Sequence, residues 1–269
     1  MSAMLRLVSL LAENARPFYE RIAQYLAGQL AAPVELLGGP LPERRRRLDA
    51  GDADVAFICG WPYALRHDRP EPQIELLCAP VMAAPRYGGR PVYFTDVIVR
   101  QDHPARDFAG LRGAVWSYND LGSHSGYNVT RHHLLQLGET RGYFGRVVDA
   151  GTHQGSIQMV LDGAIDASGI DSTVLETELV RRPEIRAALR TIATLGPSPI
   201  PPVAVARHVE PTLAARLRDL FLGMAADPAG LAVLAAGRVA TFVTVRDADY
   251  GPIREMARRA EAAGFLTLR

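Results

Sequence analysis

Ser123-His124-Ser125-Gly126 falls between a strand end, Gly113-Ala114-Val115-Trp116, and a helical pattern. Val129, Leu134, Leu135 and Leu137 carry that pattern, and Gly138 stops it. Two hydroxyls and a glycine thus stand where a helix begins. The first N–H groups of a helix lack partners within it, and the helix dipole favours negative charge there. Serine hydroxyls beside such amides make an anion cradle that needs no cationic side chain. A serine ahead of a helix is also a common N-cap, which takes one hydroxyl. On this stretch alone both readings stand. Further along, His153 follows a short strand and Asp171 closes another, so Ser125, His153 and Asp171 could form a nucleophile, base and orienter. The turn is not a nucleophile elbow, because the centre of Gly122 to Gly126 is His124 rather than serine. His124, His132, His133 and His153 raise metal binding as a further use. His132 and His133, adjacent on a helix, point in different directions, so no metal is expected.

Composition narrows the classes. The chain has 269 residues, 48% of them hydrophobic, enough for one large or two medium domains. A net charge of +1 offers no footprint for nucleic acid or a membrane surface. All thirty basic residues are arginine, which excludes a lysine Schiff base and a Walker-type phosphate loop together. Cys59 and Cys78 make no disulfide scaffold, no zinc spacing occurs, and no cofactor is called for. Met4 to Leu11 is short, carries Arg6, and runs into Glu13-Asn14 without a small-residue cleavage site, so it reads as a first strand rather than a signal peptide. No later run is long enough to span a membrane. The expectation is a soluble protein with no membrane insertion, cytoplasmic as written, or periplasmic if the precursor's export signal lies outside this sequence.

The elements that must position these residues alternate. A first strand is followed by a helix on Phe18, Ile22, Tyr25, Leu26 and Leu30, then by a strand at Val34 to Leu37. A short helix from Pro42 to Leu48 carries Arg44 to Arg47, read as a solvated face. Ala53 to Cys59 is a buried strand running into Gly60-Trp61-Pro62-Tyr63, a turn that presents aromatics at a strand's C-terminal end, where open α/β sheets bind ligands. Aromatics packing under a loop would look the same. Val92 to Arg100 is long and reads as a crossover between two domains, and Gly196 to Val203 as a second, returning crossover. Leu48-Asp49-Ala50-Gly51-Asp52-Ala53-Asp54-Val55-Ala56 is echoed by Leu161-Asp162-Gly163-Ala164-Ile165-Asp166-Ala167, helix, glycine stop, aspartate, buried strand, with one residue's difference in the loop, which suggests two domains of related topology.

In this arrangement the chain resembles the phosphonate/phosphite/phosphate-binding components of ABC transporters. The resemblance covers nearly the whole length and is carried by DVAFICGWPYAL (from Asp54), VYFTDVIV (from Val92), GSHSGYN (from Gly122), GTHQGSIQMV (from Gly151) and GAIDASGIDS (from Gly163). It implies a two-lobed α/β fold of the type II periplasmic-binding-protein kind, with residues 1–95 and 203–269 in lobe 1 and 96–202 in an inserted lobe 2. It implies that Ser123, His124 and Ser125 hold the anion at the helix start, the family more often having a small hydroxyl residue at the middle position. Tyr93 and the Trp61/Tyr63 turn would supply covering aromatics, His153 the site histidine, and Asp171 an acidic residue that meets an amino group on some phosphonates. The implied partners are a small anionic ligand and an ABC permease, and the implied activity is reversible binding between closing lobes, not catalysis. The rivals are a cytosolic enzyme on the same fold, by fold-level analogy, and a ligand sensor that passes lobe closure to another protein.

Overall fold

The computed structural model describes residues 4–268. Its elements run in strict alternation at first: β1 (Leu5–Ser9), α1 (Arg16–Leu30), β2 (Val34–Leu36), α2 (Leu41–Asp49), β3 (Val55–Phe57), α3 (Gly60–His67) and β4 (Ile74–Met82). Then follow β5 (Val92–Arg100), β6 (Val115–Tyr118), α4 (Val129–Gln136), β7 (Arg146–Asp149), α5 (His153–Leu161), β8 (Ala167–Asp171), α6 (Ser172–Arg181) and β9 (Leu189–Pro199). The chain closes with β10 (Val203–Ala206), α7 (Pro211–Gly223), α8 (Pro228–Ala236), β11 (Val239–Val243) and α9 (Gly251–Ala262). Among the described residues no single helix is long and apolar enough to cross a membrane.

Two compact units result, one of residues 1–92 and 199–250, the other of 93–198 and 251–269. The first unit holds a sheet of order β11-β4-β10-β3-β1-β2, in which β1 lies parallel to β2 and β3 while β10 runs antiparallel to β3 and β4. Its helices bury one apolar stripe each: on α1 this is Tyr19, Ile22, Ala23 and Leu26, at the spacing of one helical face. Tyr19 stacks on Phe57 with ring centroids 4.2 Å apart. The arginine run of α2 is not uniformly solvated. Arg44 is buried, donates to Ser9 O at 2.5 Å and pairs with Glu13. Arg44 and Leu48 are four apart, so both fall on the face that meets the sheet, and only the other arginines remain at the surface side of the helix. Cys59 and Cys78 form no disulfide with each other.

The second unit holds a sheet of order β7-β6-β8-β5-β9, with β6 parallel to β7 and β8, and β5 antiparallel to β8. Trp116 of β6 is fully buried, stacked on Phe144 at 4.7 Å and edge-on to Phe108 at 5.9 Å. The sequence echo has a physical counterpart. Asp54, just before β3, accepts from Arg6 N at 2.7 Å across to β1, and Asp166, just before β8, accepts from Val115 N at 2.7 Å across to β6. In each unit an aspartate just ahead of a strand therefore ties that strand to its parallel neighbour.

The expected division differs at the C-terminal end. Residues 251–269 group with the second unit, not with the first. Ile253, Ala257 and Ala260 of α9 are buried, α9 packs on α4, and Phe265 and Leu268 enter the core that contains Trp116, Tyr127 and Leu134. An amphipathic pattern announces that a helix buries one face. It does not say against which domain.

Candidate functional site

The serine turn opens on one wide turn, a π-helix over His124–Asn128, that continues without a break into α4. Asn128 N reaches back to Ser123 O at 3.1 Å, and Val129 N to His124 O. Such a turn leaves its leading N–H groups without helical partners. The two serines are used differently. Ser123 is the N-cap, its Oγ accepting from Gly126 N at 3.1 Å. Ser125 caps nothing. Its Oγ lies 3.2 Å from His153 Nε2, and its carbonyl accepts from Thr95 Oγ1 at 3.0 Å, which ties the turn to β5.

Gly126 is required by close packing rather than by an unusual dihedral. A Cβ there would stand 1.8 Å from Asn119 Oδ1 and 3.1 Å from His153 Cε1. His153 is the first residue of α5, whose N-cap Thr152 accepts from Gly155 N at 2.9 Å. The start of a second helix is thereby brought to the start of the first. His153 is buried, and burial lowers its pKa to about 4, Asp120 pulling the other way. Its imidazole is neutral at pH 7, and Nδ1 is buried with no hydrogen-bond partner. Such an atom is costly unless something meets it.

His124 is fully buried, with Nε2 3.0 Å from Ser198 Oγ and Nδ1 3.2 Å from Asn128 Nδ2. Burial, with His132 adding to it, lowers its pKa to about 3, so it brings no positive charge to the turn. Tyr93 is buried with its ring 6.4 Å from the His124 ring. Asp171 pairs in register with Thr95 across β8 and β5. Its Oδ1 caps α6, accepting from Thr173 N at 2.8 Å, Thr173 Oγ1 at 2.6 Å and Val174 N at 3.4 Å. Burial pushes its carboxyl up to about 6 against those bonds, and Asp96 adds to the rise. An aspartate directly before Ser172-Thr173 is an N-cap signal that the sequence carries in plain view.

The nucleophile–base–orienter arrangement is therefore incomplete. Ser125 and His153 meet, but Asp171 Oδ1 serves α6, and His153 Nδ1, where an orienter would bond, has no partner. Among the described residues no group of three His, Cys, Asp or Glu side chains could hold a metal ion.

In the first unit, Gly60-Trp61-Pro62-Tyr63 is the first turn of α3 rather than a loop. Trp61 is half-buried there, beyond the C-terminal end of β3. Tyr63 is fully buried, its ring 5.2 Å from that of Tyr250 and its hydroxyl donating to Asp247 at 2.9 Å. It supports the helix from within the unit's core, where its hydroxyl is held by Asp247. The residues that sequence reasoning passed over are Thr95, Asn119, Asn128 and Ser198. Thr95 and Asn128 lie within quoted stretches, but no spacing in the sequence shows that they bond to the turn.

A sequence model of the family described as "ABC transporter, phosphonate, periplasmic substrate-binding protein" matches residues 10–250. Among solved structures, a binding protein component of an ABC phosphonate transporter from Pseudomonas aeruginosa superposes with a TM-score of 0.83 at 19% identity, over 97% of this chain and 88% of that one. PhnD1 from Prochlorococcus marinus, solved in complex with methylphosphonate, gives 0.82 at 15% identity over 96% and 98%. The periplasmic aliphatic sulphonate binding protein SsuA from Escherichia coli gives 0.64 at 14% identity over 100% and 95%. These likenesses fix the fold as that of type II periplasmic binding proteins. With the family match running through the serine turn and most of both units, the chain belongs to the periplasmic substrate-binding proteins of phosphonate ABC transporters.

Proposed function

We propose that this protein binds a small oxyanion of the phosphonate type, reversibly and without chemistry, and delivers it to an ABC permease from the periplasm. The observation that carries the reading is the Ser125–His153 pair at the two helix starts, with His153 Nδ1 buried and unpartnered. A neutral imidazole paired with a hydroxyl has one proton to offer outward, either from Nδ1 or from Ser125 Oγ. An anion accepts it in either arrangement. Amide, hydroxyl and imidazole donors hold an anion well where water is excluded, because the local dielectric is low and the bonds are charge-assisted. No cation is needed at the turn. Arg131, the guanidinium nearest in sequence, is taken up by Leu266 O at 3.1 Å and Asn128 Oδ1 at 3.1 Å. The methylphosphonate complex of PhnD1 supports the ligand class.

Thermal unfolding against methylphosphonate, aminoethylphosphonate, phosphite, phosphate, sulfate and an alkyl sulfonate tests this directly. A true ligand at 100 times its Kd adds about 2.7 kcal/mol of stability. A selective shift with one of the phosphorus anions is expected, and none with any of the six would sink the reading. Ser125→Ala should weaken binding of the responding anion by about 1.5–3 kcal/mol in calorimetry. Unchanged affinity would remove Ser125 from the site.

A further inference from the structure

The hydrogen bonds around His124 run in one direction only. Arg131 Nη2 donates to Asn128 Oδ1 at 3.1 Å, and a guanidinium has no acceptor, so this atom is the amide oxygen. Asn128 Nδ2 then faces Ile253 O at 3.4 Å and His124 Nδ1 at 3.2 Å, donating to both. The backbone carbonyl accepts only, which confirms the amide's orientation. His124 Nδ1 is thus the bare nitrogen, and the single proton of the neutral ring sits on Nε2. Burial keeps the ring neutral, with a pKa of about 3. Nε2–H donates to Ser198 Oγ at 3.0 Å. A hydroxyl that accepts this bond keeps its own proton, and Ser198, only 3% exposed, directs that proton away from His124.

Ser198 stands near the end of β9 beside the start of β5, where a Cβ on neighbouring Gly196 would lie 3.4 Å from Tyr93 O. It is one imidazole ring away from the serine turn. Resting on the oxyanion reading above, we propose that Ser198 is a ligand-binding residue whose hydroxyl is aimed as a donor at the bound anion, with His124 as its positioning residue. The middle residue of the turn has both ring nitrogens engaged, so its side chain offers the ligand no direct bond. It transfers its donor role to a serine on another strand. The relay Arg131–Asn128–His124–Ser198 starts from a buried cation and ends in a neutral hydroxyl, so the anion receives a fixed proton and no added charge.

Two measurements test this. In the ligand-free protein, ¹⁵N spectra of labelled His124 should show a bare Nδ1 and a protonated Nε2. The opposite tautomer would overturn the relay. Calorimetry with methylphosphonate and with inorganic phosphate then compares wild type, Ser198→Ala, Ser198→Thr and Ser125→Ala. Ser198→Ala should bind about 10- to 100-fold more weakly, the loss expected for one hydrogen bond to a charged group. Ser198→Thr, which keeps the hydroxyl, should recover affinity to within a few-fold of wild type, and it stands in for the alanine variant if that one fails to fold. Wild-type affinity in Ser198→Ala, with Ser125→Ala weakened, would overturn this inference and leave the oxyanion reading intact. Wild type binding neither probe would overturn the oxyanion reading and this inference with it.

Discussion

Phe265→Ala should destabilise the second unit by about 3–5 kcal/mol, the range for deleting a buried phenyl ring from a well-packed core. Phe265 is 3% exposed and packs in the cluster that holds Trp116, Tyr127 and Leu134. The loss would not stop at the cavity. The segment after α9 is tied to the serine-turn helix by Arg131 Nη1 donating to Leu266 O at 3.1 Å and by Leu268 N donating to Tyr127 Oη at 3.2 Å. Loosening this segment leaves Arg131, which is buried and whose pKa burial already lowers, short of one acceptor. An unsatisfied buried donor of that kind adds about 1–3 kcal/mol. The chain supplies its own reporters, since Trp61 lies in the first unit and Trp116 in the second. In a Trp61→Phe background, urea unfolding followed by Trp116 fluorescence reads the second unit alone. A shift below about 1 kcal/mol in that transition would mean that the C-terminal segment packs on the unit without holding it.

What the sequence made legible follows from which interactions are local. The helix start at Ser123, the glycine stops at Gly51 and Gly163, and the strand-opening aspartates Asp54 and Asp166 depend on neighbours a few residues away. Such neighbours leave a spacing that can be read. The burial of Arg44 and Tyr63 is hidden in the sequence for a common reason. Each is polar at one end, and its burial depends on a partner distant in sequence: Ser9 and Glu13 for Arg44, Asp247 for Tyr63. A charge in an arginine run looks solvated until such a partner is known. Asp171 is ambiguous for a different reason, because a family role and a capping role fall on one carboxylate, whose Oδ1 carries the cap. Nothing in the sequence showed how Asn128 and Ser198 are joined. Their importance lies in the direction of a hydrogen-bond chain that joins residues 74 apart, and only three-dimensional placement reveals it.

The histidines at the turn also set how the fold responds to acid. His124 and His153 have pKa values lowered to about 3 and about 4 from an unfolded value of 6.5. As pH falls below 6.5 the unfolded chain takes up two protons that the folded chain refuses, so these residues stabilise the fold above pH 6.5 and progressively less below it. Asp171 opposes them. Its carboxyl is raised to about 6 from 3.8, so between those values the folded chain holds a proton that the unfolded chain has released. Its contribution is present below pH 3.8 and lost as pH rises through 6. Between pH 4 and 6 the three groups together leave a deficit of one proton in the folded state. Stability should therefore fall by about 1.4 kcal/mol per pH unit on acidification, about 3 kcal/mol across the window. Urea midpoints followed at Trp116 from pH 4 to 7 would measure it, and His124→Gln isolates the cause. That substitution removes one of the two refused protons, leaving His153 and Asp171 to offset each other, so the slope should flatten by about 1.4 kcal/mol per unit whatever the variant's stability at pH 7. An undiminished slope would mean that His124 is not held neutral by its burial. An anion bound beside His153 should flatten the profile in a second, separable way, because its negative charge lets that imidazole accept a proton in the folded state.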